Sequence, residues 1–201
     1  MKIDTLIFDL GGVLMQHNIQ GSVDAFLTLM GEEAMQTILG LRTDGEGQTG
    51  TLMEKYEKGD ITTKYFIDTI LKHSRPGTTP QEIRSAWITM HAGIPQQRID
   101  YLKQLKQNGF RMYLLSNNNE LHWRDVLSTY PLAEIFDGMF ASHELHCCKP
   151  DKKIFCEVTK IIKSDPQATI FIDDLEANRR IAEQTIGWRT CASIEELKGL
   201  L

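Results

Sequence analysis

The chain has 201 residues, enough to bury roughly 70% of the surface its unfolded form exposes, so one core with a sizeable insertion, or two modest domains, is expected without disulfide staples. With 22 basic against 27 acidic residues, a formal charge of -5 and no run of Lys or Arg, it lacks the electrostatic footprint of a nucleic-acid binder. No stretch approaches the roughly 18 uninterrupted apolar residues of a membrane span, and Asp4 falls inside what would have to be the apolar part of a leader, so a soluble cytoplasmic protein with no membrane partner is expected.

The first predicted element is a buried strand over Ile3 to Phe8, which ends in the lone carboxylate of Asp9 and the glycine-rich turn Leu10-Gly11-Gly12. A strand that delivers a carboxylate into a turn can present a nucleophile to a bound phosphate. From there to Gln96 the signal is helical, with Val23, Phe26, Leu27 and Met30 on one amphipathic face and Phe66, Ile67, Ile70 and Leu71 on another. Thr79-Pro80-Gln81-Glu82 marks a helix start, because it combines a capping box with proline at the first helical position. A segment this long is no loop, so a small helical insertion is predicted, with the polar stretch Thr43 to Gly50 as a mobile connection inside it.

From Gln96 strands and helices alternate. A helix carrying Ile99, Leu102 and Leu105 closes at Asn108-Gly109, and a strand follows over Arg111 to Leu115. A helix over Leu121 to Thr129, a short strand over Met139 to Ala141 and a helix from Asp151, with Ile154, Phe155, Val158, Ile161 and Ile162 at helical spacing, come next. Thr169 to Ile172 reads as a strand, Glu176 to Ile186 as a helix and Trp188 to Cys191 as the last strand, and the box Ser193-x-x-Glu196 opens a terminal helix. This order predicts an α/β fold with a Rossmann-like parallel sheet covered on both faces and an all-helical insertion after the first strand.

In an open parallel sheet, ligands bind beyond the carboxyl ends of the strands. Asp9, Ser116-Asn117, Lys149-Pro150 and Asp173-Asp174 all follow strands, or in the case of Lys149 lie on the loop from a strand into a helix, so four remote segments are expected to converge. Singly, each has a plain structural reading: a turn residue for Asp9, a helix cap for Ser116, a solvated cation for Lys149. The four cysteines, at 147, 148, 156 and 191, form no spaced framework and are expected to be reduced thiols, and the run from His143 to Cys148 lacks the second ligand pair of a closed zinc site.

The ordered set Asp9, Ser116, Lys149-Pro150 and Asp173-Asp174, with the helical insertion directly after the first, resembles the haloacid dehalogenase superfamily of hydrolases, in the branch with a helical C1-type cap that includes sugar-phosphate phosphatases. The resemblance implies a core from 1 to about 15 and about 93 to 201, with the cap over about 16 to 92. It implies a phosphatase for a small phosphorylated metabolite: Asp9 attacks phosphorus, and Mg²⁺ is held by Asp9, the Gly11 carbonyl and the Asp173-Asp174 pair, Asp174 directly and Asp173 from behind. Lys149, the Ser116 hydroxyl and the Asn117 backbone amide would hold the phosphoryl oxygens, and Asn178 is either a residue that orients the acidic loop or an exposed polar residue of the next helix.

At one place the sequence departs from the pattern. Most phosphatases of this type carry a second Asp two residues after the nucleophile as general acid and base, and here that residue is Gly11. Three readings compete: a phosphatase whose leaving group needs little protonation, such as a sugar 1-phosphate, with His17 as a candidate proton carrier; a phospholigand-binding module with weak or no turnover; and a metal-independent 2-haloacid dehalogenase. In the cap, Arg42 either pairs with a second anionic group or is a plain surface arginine, the latter being the expectation, while Trp87, Met90 and His91 either line the pocket or pack the cap, packing being the expectation.

Overall fold

The structure, a computed structural model, describes residues 2–40 and 50–201, so Arg42 and nearly all of the stretch from Thr43 to Gly50 lie outside the described residues. Five strands, β1 (Thr5–Phe8), β2 (Arg111–Ser116), β3 (Gly138–Ala141), β4 (Thr169–Ile172) and β5 (Arg189–Cys191), form one parallel sheet in the order β3-β2-β1-β4-β5. Phe8 is in register with Leu114 on one side and Ile172 on the other, so Asp9, Ser116 and Asp173 leave the sheet at the same edge.

Side chains alternate across a strand, and both faces of this sheet are apolar. Leu6, Phe8, Leu114, Ile170 and Ile172 point to a core formed with α6 (Gln96–Gln107), α7 (Glu120–Thr129), α8 (Leu132–Ile135) and α12 (Ile194–Leu200). Ile7, Leu115 and Phe171 point the other way, to a core formed with α10 (Lys152–Ile162) and α11 (Glu176–Ile186). The helical spacing of Ile154, Phe155, Val158 and Ile162 puts all four on the buried side of α10.

Between β1 and α6 the described elements are all helical: α1 (Ile19–Met30), α2 (Glu32–Ala34), a π-helical turn (Met35–Leu39), α3 (Leu52–Glu57), α4 (Thr63–Lys72) and α5 (Pro80–Ile88). They enclose their own cluster around Phe26, Tyr56, Phe66 and Trp87, in which Phe66 lies 4.8 Å from Trp87 and 4.3 Å from Tyr56, centroid to centroid. The chain enters and leaves this unit through paired backbone: Asn18 N–H donates to Met90 O at 2.8 Å, and Ala92 N–H to Gln16 O at 2.9 Å. Trp87, expected to pack, is fully buried, whereas Met90 and His91 line the cavity described below.

Several details differ from the sequence reading. The short helices at 32–34, 52–57 and 132–135 and α9 (Ser142–Leu145) were not anticipated, since three to six residues carry too little periodicity to register. The last strand starts at Arg189 because Trp188 turns inward, 1% exposed, against Phe155 and Phe171. At α12 the Ser193 hydroxyl accepts from Glu196 N–H as a cap does, but the Glu196 carboxylate reaches back to Ala192 N–H instead of closing the box on Ser193.

Candidate active site

The carboxyl ends of β1, β2 and β4 open into a cavity of about 350 Å³, lined among others by Asp9, Gly11, Ser116, Asn117, Lys149 and Asp174. Asp9 is 7% exposed; its Oδ1 accepts from Leu10 N–H at 2.6 Å and its Oδ2 lies 2.9 Å from Lys149 Nζ. Lys149 Nζ also donates to Asp173 Oδ2 at 2.6 Å and to the Leu115 carbonyl at 3.0 Å. A lysine alone in this interior would be costly, and two carboxylates without it equally so; each makes the other tolerable. Burial pushes the Asp9 carboxyl up to about 7, against the pull of Lys149 and with the help of Asp173. Burial alone would lower the Lys149 ammonium, but Asp9 and Asp173 together raise it above its ordinary value.

The reach of Lys149 is fixed by the loop that carries it. Asn117 clamps its backbone from both sides, accepting Lys149 N–H at 2.7 Å and donating to Lys149 O at 2.8 Å. The cap of α7 is Asn119, whose side chain accepts from His122 N–H, so Ser116 does not serve as a helix cap. Its hydroxyl makes a single long bond, to Asn117 O at 3.3 Å, and faces the cavity.

The adjacent acids Asp173 and Asp174 have separate environments. Asp173 is fully buried and all its acceptors are occupied: Oδ1 by Leu175 N–H at 2.9 Å and Asn178 Nδ2 at 2.9 Å, Oδ2 by Lys149 and by Asn178 Nδ2 at 3.0 Å. Asn178, 2% exposed in the first turns of α11, thus orients the acidic loop, and Arg179 ties down the Asp173 and Asp174 carbonyls at 2.7 and 2.8 Å. Asp174 is exposed on the cavity side, and ligand atoms of Asp9, Asp173 and Asp174 lie within 4.8 Å of one another. Gly12 has φ +72°, and a Cβ there would overlap the Asp174 carboxyl, so only glycine lets the turn after β1 close against that acid. Three clustered carboxylates, two of them paired with the Lys149 ammonium, offer oxygen donors that suit a hard divalent cation such as Mg²⁺.

His17, the candidate proton carrier, lies over Gly11, where a Cβ would overlap its Nε2 and Cε1. The imidazole therefore occupies space that a side chain at position 11 would need. His91 and His122 stand behind it, their rings 4.0 Å apart. Burial holds all three below the ordinary imidazole value, His91 at about 4 and His122 at about 3. Glu57, Asn118 and His122 also line the cavity and were missed from sequence. Glu57 and His122 sit in helical stretches where nothing but the docking of insertion against core shows which way they face, and Asn118 was one of three consecutive asparagines with no mark to single it out.

The fold and the site together define an α/β protein of Rossmann-like architecture with an acid-rich, oxygen-donor centre at the strand ends. A family model for haloacid dehalogenase-like hydrolases matches residues 3–184, and the chain belongs to that family. It is 27% identical to a D-ribitol-5-phosphate phosphatase of Bacteroides thetaiotaomicron, over 94% of this chain and 90% of the relative. A sesquiterpene phosphatase of Aspergillus oryzae is 28% identical over 96% of this chain and 95% of its own length. Among solved structures, a haloacid dehalogenase family enzyme of Bacteroides thetaiotaomicron in complex with magnesium and inorganic phosphate superposes with a TM-score of 0.83 at 29% identity, covering 94% of this chain and 93% of that one. A hydrolase of the same family from Porphyromonas gingivalis gives 0.83 at 26% identity, over 100% and 98%.

Proposed function

We propose that this enzyme is a Mg²⁺-dependent phosphatase that hydrolyses a small phosphomonoester, such as a sugar phosphate, through an aspartyl-phosphate on Asp9. The observation that carries the reading is the charge cluster itself: Lys149 Nζ within 2.9 Å of Asp9 and 2.6 Å of Asp173, with Asp174 completing a set of three acids. Displacement at carbon needs no metal, so the Asp173-Asp174 pair weighs against the dehalogenase reading. The phosphatase names among the relatives that share nearly the full chain weigh the same way.

In this reading Asp9, the Gly11 carbonyl and Asp174 would hold the cation. Its charge offsets the repulsion between a carboxylate and a phosphate dianion and favours ionised Asp9. Asp173, its acceptors filled by Lys149, Asn178 and Leu175, keeps the lysine and the acidic loop in place. The Ser116 hydroxyl and the Asn117 backbone amide hold the phosphoryl oxygens, the Lys149 ammonium beside them offsets their charge, and Asp9, fixed by Leu10 N–H, attacks in line. The leaving alcohol then faces the helical unit, which acts as a cap from about 16 to 92. His17, lying over Gly11, is the side chain placed to serve the alcohol oxygen where the family's second Asp is missing.

Phosphate release from sugar phosphates and an activated aryl phosphate, with Mg²⁺ and with chelator, tests this. Asp9→Asn is expected to lower kcat by at least about 10³-fold. Phosphate binding without turnover of any ester would instead identify a binding module.

A further inference from the structure

The helical unit places one carboxyl against the cavity that the chemistry above does not use. Glu57, the last residue of α3, lines the same cavity as Asp9 and His17. Its position is fixed by the core: its carbonyl accepts from Ser142 Oγ at 2.6 Å, and the same hydroxyl accepts Asn118 N–H at 2.8 Å. Ser142 is fully buried, and the next carbonyl, of Lys58, lies 3.2 Å from His146 Nδ1. One core serine thus holds both the loop after β2, which would cradle the phosphoryl group, and the residue that presents Glu57. The spacing between that loop and the backbone of Glu57 is set by the fold and not by a free loop.

Burial, and after it the neighbouring Glu54, push the Glu57 carboxyl up to about 7. The groups around it leave it that way. Lys58 is paired with Glu54 at 2.6 Å, and the Cys148 thiol, pushed up to about 11 mainly by burial, stays neutral. Near neutral pH a carboxyl of this kind both donates and accepts, which suits adjacent hydroxyl groups. Met15, Met90 and Leu175 line the cavity as well and provide apolar surface for the C–H faces of a carbohydrate.

Resting on the phosphatase reading, we propose that Glu57 is a specificity-determining residue that binds hydroxyl groups on the alcohol side of the substrate. The preferred substrate is then a polyhydroxylated phosphomonoester, a sugar or polyol phosphate, and not the phosphate of a hydrocarbon alcohol. A hydrocarbon chain would strip water from the carboxyl and return no partner, and sites built to bond a hydroxyl reject the analogue that lacks it.

The test compares kcat/KM for ribitol 5-phosphate and glucose 1-phosphate with that for n-pentyl phosphate, in wild type, Glu57→Leu and Glu57→Gln. Wild type is expected to prefer the better hydroxylated substrate by at least about 100-fold. Glu57→Leu should collapse that ratio by at least about 30-fold, mostly through KM, whereas Glu57→Gln, which keeps a donor and an acceptor, retains most of it. A wild-type preference below about tenfold overturns the proposal whether or not Glu57→Leu folds, and so does an equal loss on both kinds of substrate in a folded Glu57→Leu, which would indicate an acid-base or structural role. Aryl phosphate hydrolysis without preference for hydroxylated esters would sink this proposal alone; no phosphate release from any ester would sink the phosphatase reading beneath it.

Discussion

Asp173 and Asp174 are neighbours in sequence with different environments because β4 ends at Ile172, just before them. Asp173 is at the end of β4 where Lys149 and Asn178 reach it, and Asp174 is one residue further out, where solvent and the cavity begin. The same logic applies to His122, whose neutral form is the one the structure satisfies: Nε2–H donates to Trp87 O at 2.7 Å and Nδ1 accepts from Asn119 Nδ2 at 3.2 Å. A second proton would place a donor on Nδ1 against the Asn119 amide donor. With its folded value at about 3 against 6.5 for the free side chain, the unfolded chain binds the extra proton first as pH falls. The stabilisation is complete above 6.5 and is lost as pH drops from there toward 3. Urea unfolding at pH 7 and pH 5 should therefore show about 2 kcal/mol less acid destabilisation in His122→Asn than in wild type. Glu57 runs the opposite way, adding stability that fades as pH rises from 4.5 to about 7, so the comparison with the variant isolates the histidine.

Among the elements, α5 shows how local sequence and docking combine. Thr79 and Glu82 form the full capping box that the tetrapeptide predicts, the Thr79 hydroxyl accepting Glu82 N–H at 3.2 Å and the Glu82 carboxylate accepting Thr79 N–H at 2.8 Å. The helix then delivers Trp87 to the centre of its cluster and across to the core, where Trp87 Nε1–H donates to Asn119 Oδ1 at 3.1 Å. A second stitch joins α3 to α7, with Leu121 N–H donating to Tyr56 Oη at 3.1 Å. Thr79→Ala should cost about 1 kcal/mol in denaturant unfolding and leave turnover nearly intact, because the cap lies at the opposite end of α5 from Met90 and His91, the cavity-lining residues that follow the helix.

At the level of the whole molecule, the strand order β3-β2-β1-β4-β5 makes β1 the central strand, with the chain crossing to opposite sides of it. That arrangement leaves a crevice at the carboxyl ends of β1 and β4, which is where Asp9 meets Asp173 and Asp174. Ligands that bind there favour the folded state by mass action. Mg²⁺ with inorganic phosphate, each at about 100 times its dissociation constant, should stabilise the protein by at least about 2.7 kcal/mol, a rise of about 5–10 °C in Tm. Calorimetry of Asp174→Asn should show the Mg²⁺-dependent part of that rise removed.

The parallel α/β sheet, the helical insertion and the convergence of Asp9, Ser116, Lys149 and Asp173-Asp174 were legible in the order of the residues alone. Those follow from short-range rules: hydrophobic period sets element type, and the end of a strand sets which edge of the sheet a residue occupies. It took the folded chain to show that Asp173 is saturated while Asp174 faces the cavity, that Asn178 is buried against the first of them, that His17 fills the space over Gly11, and that Glu57 belongs to the same cavity. Each depends on how the helical unit or a loop docks against the sheet. Docking is fixed by contacts between residues far apart in the chain, such as Ser142 with Glu57, and no periodicity in the sequence encodes them.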